Sequence, residues 1–506
     1  MATNKRSHDA LLRTLALPSE AYAALEKPTA QGAATRTMYA DTSTLSDDSD
    51  GNENESHFVQ APLPLKSYNH LQLRAHLKTH YWLGHGRKIL TAVISDPANM
   101  SKRHLFHVGP GPADDRSHYS FFQVYDVGPD GATERVDITD NQSMSENQNI
   151  SQALKIWHTI RNIGQSASKK IVGRITIARE PAPILFGALH LTLHEYFDMD
   201  ELFHHLVETE YSTAHMYRAF STDEKHQKTF FFKFEYYTIT GEDCKPMDWQ
   251  LADTGDGPMP LSRCSAVVAL MLNDDAPQRI KNMERRARSE YGWIQDLWSS
   301  WQVLQIECFP DWRATTDVFE DDHRYLNGPE AFLHALLAEF RDARKRYEEI
   351  YKHVTQLITP PLRFLFDAEL RDQRLFDDES FTWTRRYFHA EQILGSVNDS
   401  IKSMIDSFEE TFVDEVWGGK SKTLWPLREE SPRNDVWKRR LRLLGLQFER
   451  EMKELRILQK KNNNSRHEIE SLKEHLFSGS SINESRKSLE LSRNIKLLTI
   501  VNIFFL

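Results

Sequence analysis

From residue 330 onward, apolar side chains recur at helical spacing almost without a break. Phe332, Leu336, Phe340, Ala343, Tyr347, Ile350, Val354 and Leu357 follow at intervals of 4, 4, 3, 4, 3, 4 and 3 residues, which places them on one stripe of a long helix. Pro360 and Pro361 end it, since proline can neither donate to the helix ladder nor fit inside it. A second stripe runs through Val397, Ile401, Met404, Phe408 and Phe412, followed by a loop over 418–432. A third begins near Asp435 with Leu441, Leu444, Phe448, Met452, Leu455 and Leu458, meets a polar gap at Asn462, Asn463 and Asn464, and resumes with Ile469, Leu472 and Leu476. Long helices with one apolar face must bury it against each other, so this half of the chain predicts a helical bundle.

Between about 60 and 315 the period changes. Phe121–Val127 and 132–138 flank Gly128, Pro129, Asp130 and Gly131, a hairpin signal. Strands are expected at 171–177, 230–240, 266–272 and 303–306, and the alternation of Leu189, Leu191 and Leu193 with His190, Thr192 and His194 predicts a half-buried one. Helices are expected at 200–208 and 277–291, which makes the region an α/β domain. Residues 1–60, rich in Ser, Thr and Asp, predict a disordered tail.

With 506 residues, of which 40% are hydrophobic, the chain has the apolar mass for two or three structural units and is not wholly disordered. The 63 basic and 73 acidic residues leave a net charge of −10, which disfavours a globally basic nucleic-acid binder. Cys244, Cys264 and Cys308 lie too far apart for a CxxC motif and do not form a disulfide framework, which fits a reducing compartment. No signal peptide is legible at the N-terminus.

Catalytic signatures are absent. The sequence holds no Gly-x-Ser-x-Gly segment, and Gly109, Gly111 and their prolines form a turn rather than a phosphate cradle. His190, His194 and Glu195 fail the zinc-protease spacing because Asp198 stands where a histidine is needed, so the histidines read as structural. Asp198, Asp200 and Glu201 cluster at an expected helix start, where capping accounts for them. An enzyme therefore has no constellation behind it.

Charge is distributed unevenly near the C-terminus. Residues 436–475 hold 11 Lys or Arg against 6 Glu, and Arg486, Lys487, Arg493 and Lys496 flank the apolar run at 497–506, the bias found on the cytoplasmic side of membrane helices. Ten residues do not span a bilayer. Ile495, Leu498, Asn502 and Leu506, spaced by 3, 4 and 4, share one helix face. Spacing alone leaves open whether this end is membrane-directed or an ordinary amphipathic helix.

The segment Glu484 to Ser488, then Asn494 to Ile500 and Ile503 to Leu506, resembles the junction between stalk and membrane in fungal CorA-like magnesium transporters. Tyr196-Phe197-Asp198-Met199, Pro310-Asp311-Trp312, Arg385-Arg386-Tyr387-Phe388 and Trp425-Pro426-Leu427 are similar to the same branch. The resemblance implies a cytosolic α/β/α domain over 61–315, a helical subdomain over 316–433, a stalk helix over 434–496 and, at 497–506, the start of a first transmembrane helix within which the sequence is truncated. It also implies a homopentamer, Mg²⁺ as the transported or regulatory ion, and a membrane location with 1–496 cytoplasmic. Ser492, Ile495, Leu498, Asn502 and Leu506 would line the pore as a hydrophobic gate. The family's Gly-Met-Asn motif and second membrane helix do not occur here, so the competing expectation is a soluble oligomerising scaffold that has lost the pore. The regulatory metal ligands are not legible.

Overall fold

The computed structural model describes residues 57–81, 120–136, 157, 159–161, 170–181, 183–207, 215–218, 229–240, 259–273, 278–279, 293–294, 296–309, 323–359, 362–369, 377–378, 380–421, 424–427 and 431–505. Residues 1–56 of the tail expected over 1–60, the turn at 109–112 and Leu506 lie outside them. In chain order the elements are α1 (His70–Thr79), β1 (Phe121–Val127), β2 (Thr133–Arg135), β3 (Gly173–Arg179), α2 (Pro183–Leu193), α3 (Met199–Val207), β4 (His215–Arg218), β5 (Thr229–Ile239), β6 (Leu261–Asn273), β7 (Gln278–Arg279), β8 (Trp293–Ile294), β9 (Ser300–Cys308), α4 (Gly328–Ile358), α5 (Thr382–Thr411) and α6 (Pro432–Phe505).

Seven strands form one mixed sheet in the order β2-β1-β3-β9-β6-β5-β4, with β3 and β9 parallel and the other neighbours antiparallel. Its central strands are buried on both faces, which suits a sheet covered from both sides. Along β6, Val267, Ala269 and Met271 pack with α2 and α3, whereas Ala266, Val268, Leu270 and Leu272 pack with α4. The architecture is thus an α/β/α sandwich continued by long helices. The hairpin at β1–β2 forms as expected, and Gly131 there adopts φ 76°, a left-handed conformation that glycine enters without a Cβ penalty.

Two sequence expectations are corrected. The alternation at Leu189 to His194 is helix, not strand: it belongs to α2, which is apolar almost all round because it lies between the sheet and α1. A run that short and that buried satisfies both periods, and length and burial decide for helix. Of the expected helix over 277–291, Gln278–Arg279 is instead a strand paired with Trp293–Ile294, and residues 280–291 lie outside the described residues.

The stripe in α4 is buried from Phe332 to Val354. Its N-terminus is capped by Asn327, whose side chain accepts the Glu330 N–H, with Pro329 in the first turn. α4 faces the sheet on one side and α5 and α6 on the other. α6 is unbroken over 74 residues, a length of about 110 Å at ~1.5 Å per residue. The polar gap does not interrupt it: Asn462 is fully buried and bonds to Asn398 of α5.

Candidate functional site

The C-terminal end of α6 holds the residues expected to line a pore. Ser492, Ile495, Leu498 and Asn502 fall on successive turns of one continuous helix, and all are exposed, as is every residue from 484 to 505. The apolar surface extends round the helix through Leu497, Ile500, Val501, Ile503, Phe504 and Phe505. Arg486, Lys487, Arg493 and Lys496 stand exposed beside it. Among the described residues no helix is long and apolar enough to cross a membrane. Burial on α6 stops at Leu476, so among the described residues nothing covers the last turns.

A second constellation lies on the far side of the sheet from α4. Asn69 caps α1 with a capping box to Gln72, which orients the helix so that His76 in its last turn and His80 at its C-cap face α2 and α3. The Nε2 of His76 lies 2.7 Å from Nδ1 of His190 on α2. The other nitrogen of His190 lies 3.3 Å from the Asp200 carboxylate on α3, and Nε2 of His80 lies 3.0 and 3.1 Å from its two oxygens. His194 stacks on His190 at 5.9 Å, with its Nδ1 turned to the Leu191 carbonyl at 2.8 Å.

Burial, with the neighbouring histidines, pushes His76 down to about 4. Burial likewise lowers His190. Burial raises the Asp200 carboxyl, but hydrogen bonds from His190 and His80 outweigh it and hold the group at about 2. At neutral pH the centre therefore presents neutral His76 and His190 rings around an ionised carboxylate.

The sequence reading kept His190 and His194 together, as the i, i+4 spacing of α2 does, but assigned them a structural role. It did not connect them to His76 and His80, more than 100 positions upstream. The legible signal was the His-x-x-x-His spacing at 76 and 80, repeated at 190 and 194, which puts each pair on one helix face. Capping at the start of α3 is done by Asp198, which accepts the Glu201 N–H at 3.1 Å, and this leaves Asp200 for the histidines.

His323, Glu330 and His334 also approach each other. There the Glu330 carboxylate is already engaged by Arg440 at 3.0 and 3.1 Å and by the Leu326 N–H at 2.7 Å, so a cation would have to displace an internal ion pair. This cluster holds the start of α4 against α6.

No family model matches the chain, and no curated protein does. Among solved structures it is similar to the full-length CmaX protein at 10% identity, with 76% of this chain and 82% of that one covered and a TM-score of 0.35. It is similar to the CorA magnesium transporter from Methanocaldococcus jannaschii at 11% identity, covering 76% and 83%, with a TM-score of 0.36. Similarity to the ZntB cytoplasmic domain from Vibrio parahaemolyticus RIMD 2210633 stands at 9% identity, covering 69% and 96%, with a TM-score of 0.31.

Proposed function

We propose that the chain is the cytosolic and stalk portion of a CorA-like divalent-cation transporter, with Mg²⁺ as cargo and gating coupled to the α/β/α domain. The observation that carries this reading is α6. Its first half is packed into the bundle, and its last turns are bare, apolar and preceded by basic residues. A helix built this way transmits movement of the folded domain along a rigid rod to an end that must be covered by something else. Copies of the same helix around an axis, inserted at a membrane, cover it. In a homopentamer Ser492, Ile495, Leu498, Asn502 and Leu506 face the axis as a gate that passes a hydrated ion only when wetted. The basic residues sit where anionic headgroups attract them.

The test is cysteine cross-linking in cells. Leu498→Cys is expected to give a ladder of cross-linked copies up to five in the membrane fraction, responsive to cytosolic Mg²⁺. Soluble cross-linked oligomers would instead favour an oligomerising scaffold without a pore, and monomeric protein would count against both readings.

A further inference from the structure

We propose that His76, His80 and His190, with Asp200, form a binding site for a borderline divalent transition-metal ion of the Zn²⁺ class, distinct from any Mg²⁺ the protein handles. The site goes beyond the transport reading, since it lies on the α/β/α domain and its occupancy is measurable whatever the end of α6 does.

Geometry carries the proposal. One ligand atom from each of the three histidines lies within 4.8 Å of the others; His76 and His80 come from the end of α1, His190 from α2, and Asp200 adds α3. A tetrahedral ion bound at about 2.0–2.1 Å holds its nitrogen ligands ~3.3 Å apart. The observed separation of 2.7 Å between His76 and His190 requires a movement of about half an ångström, within the reach of side-chain rotation. His190 bonds His76 through Nδ1 and Asp200 through Nε2. Donating Nε2–H to a carboxylate while Nδ1 faces a ligand position is the arrangement that fixes the tautomer of a metal-bound histidine. An ion between His76 and His190 takes the place of the single hydrogen those nitrogens now share.

The ligand chemistry selects the ion. Imidazole suits Zn²⁺, Co²⁺ and Ni²⁺, whereas Mg²⁺ takes oxygen ligands and keeps its waters. One carboxylate among three imidazoles is therefore a poor Mg²⁺ site. His190 is only 2% exposed, while His76 and His80 are half-buried, so the centre is anchored on its inner side and reachable from its outer one. Bound metal would tie α1 to α2 and α3.

The full chain, stripped with chelator, is titrated with CoCl₂ and then ZnCl₂. One Co²⁺ per chain is expected, with the intense visible absorption of a four-coordinate site, displaced by stoichiometric Zn²⁺ and unaffected by a large excess of MgCl₂. His76→Gln and His80→Gln avoid the buried His190 and, with circular dichroism unchanged, should each weaken Co²⁺ binding by at least the ~10- to 100-fold expected for losing an outer-shell partner. Asp200→Asn should weaken it by about 10- to 100-fold. Absence of stoichiometric binding, displacement by Mg²⁺, or full affinity in both folded histidine variants would overturn the proposal.

Discussion

Asn462, buried in the middle of α6, donates its side-chain amide to the side-chain oxygen of Asn398 on α5 at 2.9 Å, and Asn398 in turn donates to Asn463 at 2.7 Å. An amide pair in an otherwise apolar seam fixes the register of the two helices, because sliding by one turn would bury both without partners. Asn462→Ala strands the Asn398 oxygen. A loss of about 1–3 kcal/mol is expected in urea unfolding of the full chain.

Glu339 of α4 meets Gln305 and Glu307 of β9 beneath the sheet, and Gln305 also donates to Glu307 at 2.6 Å. Burial first, and the neighbouring Glu307 second, push Glu339 well above the usual carboxylate range. Its folded-state value is raised, so the folded chain binds a proton that the unfolded chain has released. Stability is fully present below the unfolded value of 4.5 and falls as pH climbs from there toward the folded value. Glu339→Gln keeps the shape of the carboxyl group and cannot ionise. It should unfold at higher urea than the parent at pH 8 and at the same urea near pH 4; a parent-like midpoint at both would refute the assignment.

Arg440 of α6 pairs with the fully buried Glu330 at the start of α4 and also donates to the Arg324 carbonyl at 2.8 Å. Arg440→Ala leaves a buried carboxylate without its counter-charge. The expected cost is about 3–5 kcal/mol, read as a lowered midpoint in chemical unfolding. The double variant with Glu330→Gln should recover part of it.

Gly173 on β3 lies against Trp301 on the neighbouring β9, and a Cβ there would overlap the indole carbons. Gly173→Ala should therefore destabilise by about 1–3 kcal/mol, and Trp301 fluorescence should shift with it. A silent substitution would mean that the indole repacks without cost.

Much of the fold was legible because periodicity is a local property. The stripe from Phe332 to Leu357 dictates a helix buried along one face, and Gly131 marks the tight turn of a hairpin, without reference to distant residues. α2 was not legible in the same way. Its Leu189 to His194 alternation fits either period, and contact with α1 and the sheet decided between them. The end of α6 was legible as one helix face, since Ile495, Leu498 and Asn502 need only a helix to share it, and the structure added that this face is exposed. The histidine centre was only half legible: spacing pairs His76 with His80 and His190 with His194, but folding alone brings the two pairs and Asp200 together.

The sequence by itself determined the long apolar helices, the strand-rich middle and the basic approach to an apolar end, since each follows from residue period and composition within a few turns. Only the tertiary structure decided that Asn462 turns inward, that Glu339 is buried against Glu307, and that His76, His80 and His190 meet around Asp200. Those meetings depend on how three layers close on one sheet, and the free energy that holds them comes from burying apolar side chains elsewhere in the molecule.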